Sequence, residues 1–277
     1  MTDEFDLIIV VKSGILGWQA RQSFREFMHN ETARNPNFRV GYVFSVGQPR
    51  ETGGRIFNRD GQEFSLNESL GDLLEKYDGV SDELRKNITA EADKYGDILL
   101  GDYADTYFNL TWKTVTNLRW LSTFCDTTRH DTFMLLDDDH RVNLSMVQRF
   151  LMNTPKSIKR QSIFGFVLAE DKPDRSRFRK CFLSNKEFPM NKFPPYPLGS
   201  SQFIGADVID DMAIASAYTR YNYFPEDVFL GVIGFKLGIP MRNETTMHSH
   251  DRYEINNKDK KPAMVALNVY FQKDSRA

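Results

Sequence analysis

Short apolar runs recur along the chain and alternate with stretches of helical periodicity. Runs without alternating polar residues are typical of strands buried on both faces of a parallel sheet. The runs predicted as strands are Leu7–Val11, Arg39–Val46, Asp97–Leu100, Thr132–Leu136 and Ser162–Leu168. The segments predicted as helices are Trp18–His29, Ser81–Tyr95, Phe108–Cys125, Leu144–Met152 and Val208–Tyr218. This order of elements predicts an α/β fold, with the polar, Gly-containing segment Gln48–Gln62 as a loop.

Three consecutive acids, Asp137, Asp138 and Asp139, directly follow the apolar run Thr132–Leu136. In open α/β sheets, ligands bind at the carboxyl ends of the strands. Like charges this close repel one another, so their ionisation implies a neutralising cation. Oxygen ligands indicate Mg²⁺ or Mn²⁺, which usually shares such a site with substrate phosphates. The alternative is that these acids cap the helix that follows, because anions also favour a helix N-terminus.

Two weaker signals come from the first and third predicted strands. Arg21 and Arg25 are four residues apart and therefore project from one helix face, which could meet a phosphate or be a solvated basic face. Asp102 follows the predicted strand Asp97–Leu100 and could hold a ribose or base edge. It could equally be a turn residue beside Gly101.

The second half of the chain carries two further candidate sites. Glu226 and Asp227 follow Pro225, which on its own is ordinary capping chemistry at a helix start. His248 and His250 are two residues apart and would share one face of a strand. One of them near the carboxylates is a candidate third ligand, since Mn²⁺ accepts imidazole more readily than Mg²⁺; the alternative is a surface pair.

The overall composition limits the class of protein. The 277 residues permit one large domain or two small ones, and the absence of a Pro/Gly/Ser-rich linker favours one. A net charge of −2, from 36 basic and 38 acidic residues, argues against a nucleic-acid partner. The sequence has no apolar run of 18 residues, so no membrane span is expected. The acidic start Met1–Glu4 does not resemble a signal peptide.

Cysteines and glycosylation acceptors give conflicting hints about the compartment. Cys125 and Cys181 could form one disulfide or be two buried thiols. Six Asn-x-Ser/Thr sequons favour the secretory pathway, although no targeting segment is visible. These sequons begin at Asn30, Asn67, Asn87, Asn109, Asn143 and Asn243.

Four motifs, taken in order, resemble the β1,3-galactosyltransferase family of inverting, nucleotide-sugar-dependent enzymes. The closest match is Tyr95–Thr114, which reads YGDILLGDYADTYFNLTWKT. The metal motif matches Leu135–Asn143, LLDDDHRVN, and the later acid motif matches Glu226–Ile239, EDVFLGVIGFKLGI. The aromatic and Pro segment before a Gly-rich strand matches Phe193–Ile209. The resemblance covers most of the chain, from about residue 7 to about residue 250.

The chain departs from the family pattern in three respects. The early Arg motif usually ends in Thr-Trp, whereas Arg21–Phe27 reads RQSFREF. His140 stands where an apolar residue is usual after the acids, and we expect it to face away from the metal. The family's membrane anchor is not visible in this chain.

The resemblance implies an A-type glycosyltransferase fold, a Rossmann-like mixed sheet flanked by helices in a single domain. Residues 1–145 are then the nucleotide-sugar-binding half, 146–252 the acceptor-binding and catalytic half, and 253–277 a C-terminal tail. Mn²⁺ is the expected cofactor, bridging the phosphates of a UDP-sugar, with Asp139 making the direct contact. The residues assigned to the metal are Asp137, Asp139 and His248, with His250 in reserve. Those assigned to the donor are Arg21, Arg25, Asp102, Lys113 and Asp138.

The resemblance also implies the reaction. Asp227 matches the family position of the base that deprotonates the attacking hydroxyl, and Glu226 is expected to shape the acceptor site. Arg and aromatic residues within Arg175–Tyr196 are candidates for stacking on acceptor sugars. The expected activity is transfer of galactose from UDP-galactose to a glycolipid or glycoprotein glycan in β1,3 linkage, in the Golgi lumen.

Three alternatives remain open at this level. The donor sugar could be N-acetylglucosamine or N-acetylgalactosamine, since the space for a 2-acetamido group cannot be read from sequence. A metal-dependent phosphohydrolase could use the same acids. A non-catalytic glycan-binding relative would bind without turnover, although it would have no chemical need of Asp227.

Overall fold

The computed structural model describes residues 5–51, 56–59, 62–65, 75, 79–176, 181–220, 225–248 and 263–267. Eleven strands are found among these residues: β1 Leu7–Lys12, β2 Val40–Gln48, β3 Ile56–Arg59, β4 Gln62–Ser65, β5 Ile98–Ala104, β6 Thr132–Asp137, β7 His140–Val142, β8 Ile163–Leu168, β9 Tyr196–Gly205, β10 Met241–Asn243 and β11 Val265–Leu267. The α-helices described in full are α1 Trp18–Arg34, α2 Ser81–Tyr95, α3 Leu110–Phe124, α4 Leu144–Asn153, α5 Lys156–Arg160, α6 Ile209–Tyr218 and α7 Glu226–Leu237.

A seven-stranded mixed sheet forms the centre of the protein. Its strand order is β10-β8-β9-β6-β1-β2-β5. Strand β9 runs antiparallel to both β6 and β8, whereas the remaining pairs in this sheet are parallel. The expected Rossmann-like mixed sheet flanked by helices is therefore confirmed.

The continuous apolar runs are explained by helices on both faces of the sheet. All six residues of β1 are buried. Ile8 and Val10 pack in a cluster with residues of α3, α6 and α7. Leu7, Ile9 and Val11 pack on the opposite face with residues of α1, α2 and α4. Successive side chains of a strand point to opposite faces, so both sets must be apolar.

The ends of two helices follow from local chemistry. Helix α2 ends at Gly96, whose φ of 67° places it in the left-handed region that favours glycine. Helix α4 is capped by Asn143, whose Oδ1 accepts a hydrogen bond from the Met146 amide at 3.0 Å. Asn143 thus supplies the side-chain cap that the alternative interpretation gave to the three acids.

The structure adds short strands in two regions where the sequence predicted none. The predicted loop Gln48–Gln62 contains β3, which pairs with β4 in a small antiparallel hairpin. The predicted C-terminal tail contains β11, which pairs with β7. These strands are three to four residues long, and such lengths carry no readable periodicity.

Within the part of the chain that the structure describes, no helix has the length and hydropathy needed to cross a membrane.

Candidate active site

A cavity of about 1050 Å³ opens at the carboxyl ends of β1 and β6. The parallel register of these strands pairs Lys12 with Asp137, which places the two strand tips side by side. The N-terminus of α7 reaches the same cavity from the other side, so that Asp139 and Asp227 both line it. The two predicted acid motifs, which lie far apart in the sequence, therefore meet in one space.

The tip of β6 carries a group of possible metal ligands. One ligand atom from each of Asp137, Asp139 and His140 lies within 4.8 Å of the others. Two carboxylates and one imidazole form a donor set that suits Mn²⁺, which accepts both oxygen and nitrogen. The residues present therefore fit a divalent cation.

His140, which the sequence analysis expected to face away from the metal, lies against Asp139. Its Nδ1 lies 2.6 Å from Asp139 Oδ1, while its Nε2 is buried without a hydrogen-bond partner among the described residues. The reason is the two-residue turn between β6 and β7, which reverses the chain at residues 138 and 139. Burial alone would raise the pKa of Asp139, but contact with His140 lowers it.

Asp138 does not belong to the group of possible metal ligands formed by Asp137, Asp139 and His140. Its Oδ2 accepts a hydrogen bond of 2.6 Å from Ser13 Oγ, which fastens the acidic turn to the segment after β1. Burial raises the pKa of Asp138 to about 6, against the opposing effect of the Ser13 hydrogen bond. Asp138 lines the cavity, as do Asp137 and Asp139.

His248 lies beside the cluster of Asp137, Asp139 and His140. Its ring centroid is 6.4 Å from that of His140, and its Nδ1 is 3.1 Å from Ser200 Oγ. The group of possible ligands found among the described residues includes His140 and does not include His248. His250, the reserve candidate, falls outside the described residues.

Asp227 is held at the first turn of α7. Its Oδ2 accepts a hydrogen bond from the Gly199 amide at 3.2 Å, and its Oδ1 accepts one from the Val228 amide at 2.8 Å. Burial and, to a lesser extent, the adjacent Glu226 raise the pKa of Asp227 to about 7. A carboxyl group with this pKa is suited to accept a proton near neutral pH.

The two early arginines are engaged by buried acids. Arg21 makes a bidentate pair with Glu91 at 2.9 and 2.7 Å, and Arg25 makes one with Asp97 at 2.8 and 2.7 Å. Arg21 also donates to the Gly14 carbonyl at 2.6 Å, behind the cavity wall. The structure brings neither arginine into the described lining of the cavity.

The other two predicted donor residues have different surroundings. Asp102 lies within β5, is exposed, and does not belong to the described cavity lining, so it is neither a strand-end nor a turn residue. Lys113 does line the cavity, where its Nζ lies 3.0 Å from Asp105 Oδ1 and also donates to the Ser13 carbonyl. Of Asp102 and Asp105, it is therefore Asp105 that lines the cavity.

Aromatic side chains form the wall of the cavity nearest to Asp227. Tyr107, Phe193 and Tyr196 line it, and Asp227 raises the pKa of both tyrosines in addition to the larger effect of burial. Tyr196 donates a hydrogen bond to Asp171, and the Tyr107 hydroxyl lies 3.6 Å from the Cys181 thiol. Cys181 and Cys125 are both free thiols.

Sequence reasoning did not select several residues that the structure brings to the cavity. They are Lys12, Ser13, Asp105, Tyr107 and Gly199. Lys12 and Ser13 directly follow the apolar run Leu7–Val11, and position at a strand end was an available signal for them. Gly199 had none, because its importance lies in backbone contacts with distant residues.

The sequence of this chain is similar to those of known galactosyltransferases. The profile of the family described as galactosyltransferase matches residues 73–245. Beta-1,3-galactosyltransferase 5 of Mus musculus is 31% identical over 192 residues, which cover 69% of this chain and 58% of the relative. Beta-1,3-galactosyltransferase brn of Drosophila melanogaster is 29% identical over 169 residues, covering 60% of this chain and 50% of the relative. The chain thus spans between half and three-fifths of the length of these relatives.

A similarity to solved structures was also found. The crystal structure of a glycosyltransferase involved in glycosylation of the major capsid of PBCV-1 aligns with a TM-score of 0.43 and 12% identity, over 94% of this chain and 91% of that one. The family assignment depends on the sequence profile, which matches well over half of the chain. On that match, the chain belongs to the galactosyltransferase family.

Proposed function

We propose that this protein is a metal-dependent, inverting transferase that moves galactose from UDP-galactose to a glycan hydroxyl in β1,3 linkage. The observation that carries the proposal is the shared cavity, which is lined by Asp137 and Asp139 on one side and by Asp227 on another. Such a site can neutralise a departing diphosphate and deprotonate an incoming hydroxyl within one space.

The donor half of the cavity is assigned to the tips of β1 and β6. Asp137, Asp139 and His140 would hold a divalent cation, with His248 as the nearest further imidazole. When bound, the cation would supply Lewis-acid neutralisation of the charge that develops on UDP as it leaves. Lys113 and the Asp138–Ser13 pair line the same half and would orient the nucleotide sugar.

The acceptor half is assigned to the first turn of α7 and the aromatic wall. Asp227 takes the proton of the attacking hydroxyl while the new bond from that oxygen to the anomeric carbon forms and the bond to UDP breaks. A single displacement of this kind inverts the anomeric centre. Glu226 shapes this half of the site, and Tyr107, Phe193 and Tyr196 offer ring faces and hydroxyl groups to an acceptor sugar.

The natural acceptor is proposed to be a glycan on a glycolipid or glycoprotein, and the compartment is proposed to be the Golgi lumen. Both proposals are supported by the family and by the beta-1,3-galactosyltransferase relatives that match part of this chain.

A panel of donors and acceptors tests the proposal. UDP-galactose, UDP-N-acetylglucosamine and UDP-N-acetylgalactosamine are each offered with galactose- or hexosamine-terminated acceptors, and products are resolved by linkage. We expect Mn²⁺-dependent transfer of galactose in β1,3 linkage. Preferential use of a 2-acetamido sugar would reassign the donor, and cleavage of the UDP-sugar that does not depend on an acceptor would indicate a phosphohydrolase.

An Asp227→Asn variant is the matched control for the panel. We expect it to retain UDP-sugar binding by calorimetry and to lose transfer. Near-normal turnover in this variant would show that Asp227 is not the base. Binding by the unmodified protein with no turnover for any donor would indicate a glycan-binding relative.

A further inference from the structure

We propose that Lys12 is a positioning residue that holds the donor-side acid Asp137 and the base Asp227 in a fixed relation. The proposal rests on the proposed function, because it concerns the same cavity. Lys12 does not need to touch either sugar, since its effect is transmitted through Gly199 and Glu226.

The ammonium group of Lys12 joins three elements of the fold. Lys12 is the last residue of β1, and its side chain is 3% exposed. Its Nζ lies 2.8 Å from Asp137 Oδ1 at the tip of β6, 2.7 Å from the Gly199 carbonyl in β9 and 3.2 Å from Glu226 Oε1 at the start of α7. An ammonium group has three donors, and each partner accounts for one of them.

Gly199 connects this ammonium group to the base. The Gly199 carbonyl accepts from Lys12, while its amide donates to Asp227 Oδ2 at 3.2 Å. Glu226, which directly precedes Asp227 in α7, provides a second connection to the same lysine. Lys12 therefore fixes the approach of β9 and of α7, the two elements that determine where the Asp227 carboxylate lies.

The charges around Lys12 also support its role as a positioning residue. Asp137 and Glu226 would face each other without compensation if the ammonium group were removed, and a buried unpaired charge is costly. Among the described lining residues, Lys113 is held by Asp105 and the Ser13 carbonyl, and Lys172 is exposed. Neither of these lysines is placed to substitute for Lys12.

The test compares Lys12→Met with Lys86→Met, which removes an exposed lysine of α2 that does not belong to the described cavity lining. For Lys12→Met we expect kcat to fall by about 100-fold, the cost of misplacing a reacting group by about 1 Å. We expect the KM for the donor to stay within about threefold, because the uniform binding of the nucleotide is retained. Lys86→Met should leave both constants unchanged. A rise in KM with kcat unchanged would overturn the proposal.

A second comparison separates positioning from a general structural role. If Lys12 acts through Asp227, then adding Lys12→Met to the Asp227→Asn variant should cause no further loss of kcat. A full additional loss would overturn the proposal. If Asp227→Asn alone retains turnover, Asp227 is not the base. This result does not depend on any variant of Lys12.

Folding of each variant is checked by urea denaturation. If the methionine variant does not fold, Lys12→Gln replaces it, since an amide can still donate to the Gly199 carbonyl. The same fall in kcat is expected, because the charge between Asp137 and Glu226 is lost in both variants. A glutamine variant that folds and turns over like the unmodified protein would overturn the proposal.

Discussion

The amide of Gly199 and the carboxylate of Asp227 are joined by a hydrogen bond of 3.2 Å, which fixes the base against β9. The approach is close. A Cβ added at Gly199 would lie 2.8 Å from Glu226 Oε1 and 3.7 Å from Asp227 Cβ. A side chain at Gly199 would therefore displace the Glu226 carboxylate oxygen that contacts Lys12.

Gly199→Ala is expected to lower kcat by about 10-fold, because the added methyl group displaces the Glu226 carboxylate from Lys12 beside the base Asp227. Steady-state kinetics with UDP-galactose and an acceptor measure the effect. Gly14→Ala is the matched control: Gly14 lines the same cavity, but a Cβ there would meet nothing within 4 Å. Equal activity of the two variants would contradict the assigned role of Gly199.

The pH dependence of kcat/KM should show a limb that rises to a plateau through about pH 7, the pKa to which burial and Glu226 raise Asp227. Below this pH Asp227 is protonated and cannot accept a proton, so activity should fall by about tenfold per pH unit. A pH profile of the free enzyme checks the midpoint.

Glu226→Gln provides the control for that assignment. The negative charge of Glu226 raises the pKa of Asp227, so removing the charge should move the limb to lower pH. The pKa of Asp138 is raised by burial and by Asp139 and Asp137, none of which Glu226→Gln changes, so a limb that belonged to Asp138 should not move. If the limb of the pH profile does not move, it does not report the ionisation of Asp227.

Excess chelator should abolish transfer, and Mn²⁺ should restore it. His140→Ala should weaken Mn²⁺ binding by at least about tenfold, since it removes one of the three grouped ligands, whereas His248→Ala should have a smaller effect. Calorimetric titration of Mn²⁺ measures both variants without relying on turnover. A larger effect at His248 would restore it as the nitrogen ligand, and full activity in chelator would exclude metal dependence.

Arg25→Met should destabilise the fold by about 3–5 kcal/mol, because it leaves the buried partners Asp97 and Glu91 without one of their cations. The donor KM should remain unchanged, since Arg25 does not reach the described cavity lining. Urea denaturation and steady-state kinetics measure the two effects.

Arg85→Gln is the control for this variant. Its ion pair with Asp82 is solvent-exposed, and exposed pairs contribute at most about 1 kcal/mol. A stable Arg25→Met variant with a tenfold higher donor KM would instead indicate that Arg25 contacts the nucleotide sugar.

The elements that sequence predicts well are those with strong local signals. The apolar runs Leu7–Val11 and Thr132–Leu136 are strands to within one residue, because both faces of the sheet are covered and every position must be apolar. Gly96 marks the end of α2 through its left-handed conformation. By contrast, the predicted strand Asp97–Leu100 ends too early, because β5 continues through Gly101 and Asp102.

Contacts between distant residues could not be predicted from one sequence. Lys12 is separated by 187 residues from Gly199 and by 214 from Glu226, so no local pattern indicates that they meet. The contact between His140 and Asp139 was not predicted either, because the orientation of His140 depends on a turn of two residues. The pairing of Arg21 and Arg25 with Glu91 and Asp97 was likewise invisible, since an i, i+4 spacing shows only that two side chains share a face.

The reversed direction of β9 has a consequence for redesign. A strand that runs against its neighbours starts where they finish, so the residues that lead into β9 arrive at the cavity from the segment ending at Pro195. Tyr196 of the aromatic wall and Gly199, whose amide holds Asp227, both lie at the start of this strand. A redesign that moves the start of β9 to admit a different ligand would therefore also move the amide that positions Asp227.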